Sequence, residues 1–154
     1  MHPSSERILQ ILNAAGLSSE VRTLADSTRT AAEAAAALNC EVGAIASSLV
    51  FLADGEPVLV LTSGAHRVNT DALAGRIGAS EITRASADQV REATGQPIGG
   101  VAPVGHPAPV RTYLDIALRN YKQLWAAAGT PHSVFEITYD DLKSLTGAAE
   151  VDVE

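Results

Sequence analysis

Ile45-Ala46-Ser47-Ser48-Leu49-Val50-Phe51-Leu52-Ala53-Asp54-Gly55-Glu56-Pro57-Val58-Leu59-Val60-Leu61-Thr62 is the stretch that decides the fold. It reads as a strand over Ile45–Leu52, a turn at Ala53–Glu56 and a returning strand over Pro57–Thr62. Asp-Gly between two apolar, β-branched runs is a strong hairpin signal. The returning strand is almost wholly apolar, which suits a central strand covered on both faces.

Working outward, helices and further strands interleave irregularly around this hairpin. Ser4 or Ser5 is expected to cap a helix reaching Ala15, with Ile8, Ile11 and Leu12 on one face. A short strand follows over Ser19–Leu24, then a loop at Asp26-Ser27-Thr28-Arg29. Thr30, with Glu33 three residues on, starts an Ala-rich helix to Leu38. After the hairpin come a helix from Asn69 or Thr70 to Ile77, a short strand Glu81–Thr83 and a Ser86-capped helix to Thr94. Strands are expected at Val110–Leu114 and Val134–Thr138, with one or two short elements between Ile116 and Ala128. A helix over Asp140–Leu145 precedes an acidic tail. The pattern predicts one α/β domain over residues 1–154, a mixed central sheet flanked by helices, with 1–4 and 148–154 frayed.

The chain has 154 residues, long enough to bury a substantial core. Aromatics make up only 4%, so that core is built from Ala, Val, Leu and Ile. The formal net charge of -7 argues against a broad grip on duplex nucleic acid, DNA included, but allows a local pocket to hold a nucleic-acid terminus. One cysteine, Cys40, excludes an internal disulfide and a Cys-rich zinc site, and points to a reduced, cytoplasmic setting. Met1–Arg7 lacks a signal-peptide apolar core, and no stretch is long and apolar enough to span a bilayer, so no membrane partner is expected.

The other informative stretch is Pro97-Ile98-Gly99-Gly100-Val101-Ala102-Pro103-Val104-Gly105-His106-Pro107-Ala108-Pro109. Four of the seven prolines fall here. Such a segment is a stiff loop with bare peptide groups, which either turns the chain or walls a small-molecule site. His66, His106 and His132 each follow a predicted turn, where a histidine serves as a general base or as a hydrogen-bonded anchor. They lack the spacing of a zinc site, and no metal is expected. Arg67, beside His66 at the end of the central strand, is the most interesting cation. Ser47 and Ser48 face opposite sides of their strand. Asp54, Glu56, Asp71, Asp88 and Asp115 read as solvated charges at turns or on helix faces. Gly-x-Gly-x-x-Gly, a P-loop and a Gly-x-Ser-x-Gly elbow do not occur.

Several segments in sequential order resemble one family. They are Thr30–Ala35, Val42–Phe51, Val58–Gly64 leading into Arg67-Val68-Asn69, Gly99–His106, and Ala128–Phe135. Together they resemble the YbaK/EbsC family, relatives of the editing insertion of bacterial prolyl-tRNA synthetase. The resemblance implies a freestanding aminoacyl-tRNA deacylase, which hydrolyses the ester of a small mischarged amino acid on a tRNA acceptor end, often tRNA-Pro. It implies water as nucleophile, no metal or organic cofactor, and a tRNA acceptor end and a synthetase as candidate partners; the oligomeric state is left open. The family's Gly-x-x-x-Pro loop matches Gly99–Pro103. Candidate catalytic residues are Ser47, Gly100, His106 and His132. Candidate substrate contacts are Thr30, Ser48, Ser63, Arg67, Gly99, Val101, Ala102, Pro103 and Gly105. One departure stands out. The family's lysine in Ile-Ala-Lys-Ser-Leu is Ser47 here, and a hydroxyl carries no positive charge for an oxyanion or phosphate. The alternatives are charge supplied from elsewhere, a catalytically weak binding module, or a lysine replaced by experimenters.

Overall fold

The computed structural model describes residues 1–25 and 30–154; the loop expected at Asp26-Ser27-Thr28-Arg29 lies outside the described residues. The helices are α1 (Pro3–Ala14), α2 (Ala31–Leu38), α3 (Thr70–Ile77), α4 (Ala87–Thr94) and α5 (Tyr139–Thr146). The strands are β1 (Val21–Thr23), β2 (Ile45–Ala53), β3 (Glu56–Ser63), β4 (Ile82–Arg84), β5 (Arg111–Asp115), β6 (Leu124–Ala127), β7 (Ser133–Ile137) and β8 (Ala149–Val151). One mixed sheet runs β1-β7-β6-β2-β3-β5-β8, with β4 also on β2. β2 and β3 form the expected antiparallel hairpin, in register from Ala46↔Ser63 to Ala53↔Glu56. β6 lies parallel to β2, and β5 parallel to β3.

The apolar run of β3 is buried on both faces. Leu59 and Leu61 join the largest core cluster, with Ile8 and Leu12 of α1, Val90 of α4 and Leu142 of α5. Val58 and Val60 pack on the opposite face with Leu73 of α3. A third cluster sets Ala34 and Ala35 of α2 against Ile45, Trp125 and Val134. The alanines of α2 allow that helix to sit close to the sheet.

Caps follow short side chains that accept from exposed amides. Thr30 accepts from Glu33 N, and Ser86 and Gln89 form a reciprocal capping box. Two expectations at the ends are corrected. His2, not Ser4 or Ser5, caps α1 through its Nδ1, and Pro3 and Ser4 already lie in the helix. Ser5 is instead buried, its hydroxyl bonded to Ala128 O and Ser133 Oγ, each at 2.9 Å. The C-terminal segment does not fray. Residues 149–151 pair with β5, Tyr139 donates to Glu150 at 2.8 Å, and Val153 is completely buried against α3. The acidic residues misled because the small apolar ones between them, Ala148, Val151 and Val153, do the packing.

Val153→Ala is expected to lower stability by about 2 kcal/mol, from lost apolar burial plus an unfilled space. Urea denaturation checks this; a change within about 0.5 kcal/mol, as on a free surface, would mean the tail is not docked.

Candidate functional site

β2 is the axis of the site. Alternation along the strand puts Ile45, Ser47, Leu49 and Phe51 on one face and Ala46, Ser48 and Val50 on the other. Ala46 and Val50 belong to the cluster that holds Val101 and Ala102 of the Gly/Pro loop. Ile45 and Phe51 belong to the clusters under α2 and α3. Beyond β2 the sheet is incomplete. β6 pairs only with Ile45 and Ala46, and β4 only with Phe51 to Ala53. A cavity of about 780 Å³ opens at this interruption, and residues from both faces of β2 line it. That volume lies within the range of small-ligand pockets.

On the face of Ser47, the wall comprises Thr30, Ala31 and Ala34 of the α2 start, then Gly64, His66, Arg67 and Arg84. Arg84 shares this face because it stands directly opposite Phe51. On the other side are Val90, Ile98, Gly99 and Val101. Gly99 has φ +82°, a conformation that costs glycine little. Gly100 is fixed by close approach: a Cβ there would lie 2.6–2.9 Å from the Thr130–Pro131 backbone.

Of the residues singled out from sequence, Thr30, Ser47, Ser48, Ser63, Arg67, Gly99 and Val101 line this cavity. Gly100, Ala102, Pro103, Gly105, His106 and His132 do not. Ala102 is fully buried behind the wall, donating to Gln96 Oε1 at 2.6 Å and accepting from His106 Nε2 at 2.9 Å. Gly105 packs on Ile8 of α1. His106 thus braces the back of the loop. Burial is the main cause that holds its imidazole below the usual histidine range; Arg7 adds to it, and the Ala102 carbonyl opposes it. His132 is exposed on the turn behind Gly100, and its carbonyl accepts from Leu24 N.

Sequence reasoning missed Asp115. Instead of a solvated charge, it is completely buried. Its Oδ2 accepts from Ser63 N at 2.9 Å and Thr62 Oγ1 at 3.3 Å, and lies 3.0 Å from His66 Nδ1, while Oδ1 accepts from Ala117 N at 3.0 Å. Glu154 stands 3.2 Å from the other ring nitrogen of His66. This network fixes the β3 exit, and with it the rim that carries Arg67. The readable signal was an aspartate ending an apolar strand. Ser63 Oγ is committed as well, donating to Gly43 O at 2.8 Å. Arg67 and Arg84 are exposed and form no ion pair or hydrogen bond with a described residue. No group of metal-ligating side chains occurs among the described residues.

The fold and cavity define a small mixed-sheet domain with a ligand-sized opening beside its central hairpin. Residues 25–145 match the family model for the aminoacyl-tRNA editing domain, and the chain belongs to that family. The resemblance read from the sequence is thereby borne out. A solved structure described as a candidate trans-editing enzyme for prolyl tRNA synthetase is 41% identical, with a TM-score of 0.92, covering 100% of this chain and 98% of that one. The uncharacterized protein YwhH of Bacillus subtilis (strain 168) is 28% identical over 128 residues, 82% of this chain and 81% of YwhH. Proline--tRNA ligase of Geobacter sp. (strain M21) is 36% identical over 86 residues, 56% of this chain but only 15% of the ligase.

His106 makes stability pH-dependent. Its lowered pKa means that the unfolded chain takes up the proton first as pH falls below 6.5. Its contribution is complete above that range and declines below it, until the folded ring also protonates. The stability advantage of the wild type over His106→Gln is expected to shrink between about pH 7.5 and 5.5. Urea titrations at each pH check this; a constant difference would remove the assignment.

Proposed function

We propose that this chain is a freestanding aminoacyl-tRNA deacylase. It hydrolyses the ester joining a small mischarged amino acid to the 3′ end of a tRNA, with tRNA-Pro as the first candidate. The observation that carries this reading is the cavity itself. In a member of the aminoacyl-tRNA editing family, it is walled by Ile98, Gly99 and Val101 of the loop on one side and β2 on the other. Its lining mixes small apolar side chains with hydroxyls and peptide groups, which suits a short amino acid on a ribose. Water attacks the ester carbonyl, and fixed donors at the developing oxyanion supply much of the rate. The similarity to part of proline--tRNA ligase supports the choice of tRNA. The net charge of -7 supports a grip confined to the acceptor end, with a synthetase helping to hold the rest, in the cytoplasm.

Ser47 bears on mechanism. Arg67 and Arg84 lie on its face of the cavity, and both guanidiniums are uncommitted among the described residues. We assign them the terminal phosphate, two of whose oxygens match the planar fork of a guanidinium. They replace the lysine's charge for binding. The second reading, a binding module that keeps the pocket but turns over little, is favoured by Ser47 alone.

Deacylation of a panel of preloaded tRNAs, by the wild type and Ser47→Lys in parallel, separates the two. The deacylase reading expects multiple turnover by the wild type on a small amino acid, and a loss of at least tenfold in Gly100→Ala as the loop is pushed off the 130–131 turn. Saturable binding without turnover, with activity appearing only in Ser47→Lys, would establish the binding module.

Arg67→Gln and Arg84→Gln are each expected to raise KM several-fold with kcat little changed, the pattern of lost uniform binding. Steady-state kinetics at two salt concentrations check this, because the wild-type advantage shrinks as salt rises. A fall confined to kcat would place the arginines in the chemical step instead.

A further inference from the structure

One residue of β2 has an outer backbone edge that pairs with nothing described. Ile45 O accepts from Gly64 N at 2.8 Å, so Ile45 turns its peptide groups toward β3. Alternation turns Ser47 and Leu49 the same way, and Ala46, Ser48 and Val50 away from β3. On that outer side, pairing with β6 ends at Ala46↔Ala126, and pairing with β4 begins at Phe51↔Arg84. Ser48 falls in the interruption. Its N–H and C=O have no hydrogen-bond partner among the described residues. Its Oγ is shut off from solvent and is likewise unpartnered there. The flanking positions, Ala127 of β6 and Ala85 after β4, both line the cavity. Strand edges pair readily with an extended chain, and buried polar groups are nearly always satisfied. Here the open edge, the idle hydroxyl and the cavity coincide at one residue.

The geometry points to Ser48 as the docking edge for the aminoacyl group, which pairs with it as a one-residue strand. This rests on the deacylase reading and deepens it. An α-amino ester carries nitrogen, Cα and carbonyl in the same order as a chain residue. It therefore meets both peptide groups of one strand residue, as in a hydrogen-bonded antiparallel pair. The α-ammonium donates to Ser48 C=O, and the ester carbonyl accepts from Ser48 N–H. When water adds to the carbonyl carbon, the C=O electron pair moves onto that oxygen, where the Ser48 N–H already points. Collapse re-forms the C=O and breaks the bond to the ribose oxygen, which takes the proton the water loses. The products are the free amino acid and a free hydroxyl on the tRNA. This oxyanion donor belongs to the main chain, so it survives the change from lysine to Ser47. Directly paired residues put their side chains on the same face. The side chain of an L-amino acid then lies on the face of Ala46, Ser48 and Val50, toward Val90 and Val101.

The test is amide hydrogen exchange by NMR on the full chain, free and with 3′-deoxy-3′-(L-alanylamino)adenosine, an amide isostere of the ester. In the free protein, Ser48 N–H is expected to exchange at least ~100-fold faster than Ser47 and Leu49 N–H, which pair with β3. Saturating probe is expected to slow Ser48 at least tenfold, and the D-alanyl isomer to leave it unchanged. Protection of Ser48 in the free chain overturns the inference. So does probe binding that shifts Gly99–Val101 signals without slowing Ser48. A chain that hydrolyses mischarged tRNA yet ignores the probe keeps the deacylase reading and loses the strand pairing; a chain that does neither loses both.

Discussion

β2 is paired along its whole length on one side and only at its two ends on the other, and the rest of the molecule is arranged around that asymmetry. The β3 side forms a continuous antiparallel ladder from Ala46 to Ala53. The other side is shared by two short strands that never meet, β6 at the start and β4 at the finish. A sheet interrupted in mid-strand leaves peptide groups without partners, which is costly in a core and useful at a binding site. The helices and the Gly/Pro loop wall this interruption and do not fill it. α2 approaches through alanines, and the loop approaches through Ile98, Gly99 and Val101.

The loop holds its shape because other parts of the chain grip it from behind. Gly100 lies against the Thr130–Pro131 turn closely enough to exclude a side chain, Ala102 is bonded by Gln96 and His106, and Gly105 rests on Ile8 of α1. The histidine in this loop is therefore a brace, and the residues in front of it form the wall. Across the cavity, buried Asp115 does the same for the β3 exit by holding Ser63, Thr62 and His66 together. Two walls braced from behind thus stand on either side of an open strand edge. Preorganised main-chain donors also stabilise developing charge without any side-chain cation.

Much of this was legible in the residues. The Asp-Gly hairpin, the doubly buried β3, the Thr30 and Ser86 caps and the stiffness of residues 97–109 are local, and local patterns carry them. The order of short motifs carried the family. What was not legible depended on distant neighbours. The spacing of His106 and His132 from their turns could not say that both lie behind the loop. Nor could the aspartate at the end of β5 announce its burial, because its partners come from β3, some 50 residues earlier in the chain. The acidic tail looked solvated because charge is visible in sequence, whereas the groove that receives Val153 is made by α3 and β3.

The sequence by itself determined that a mixed sheet would be built on one apolar hairpin, that helices would start at Thr30 and Ser86, and that a bare-backbone loop would stand near it. Periodicity and turn chemistry act over a few residues and need no partner. Only the tertiary structure decided which face Ser47 and Ser48 each present, where β6 and β4 stop along β2, and which side of the loop is open. Those depend on strand register between segments 30 to 80 residues apart, and register is set by the packing of the whole core.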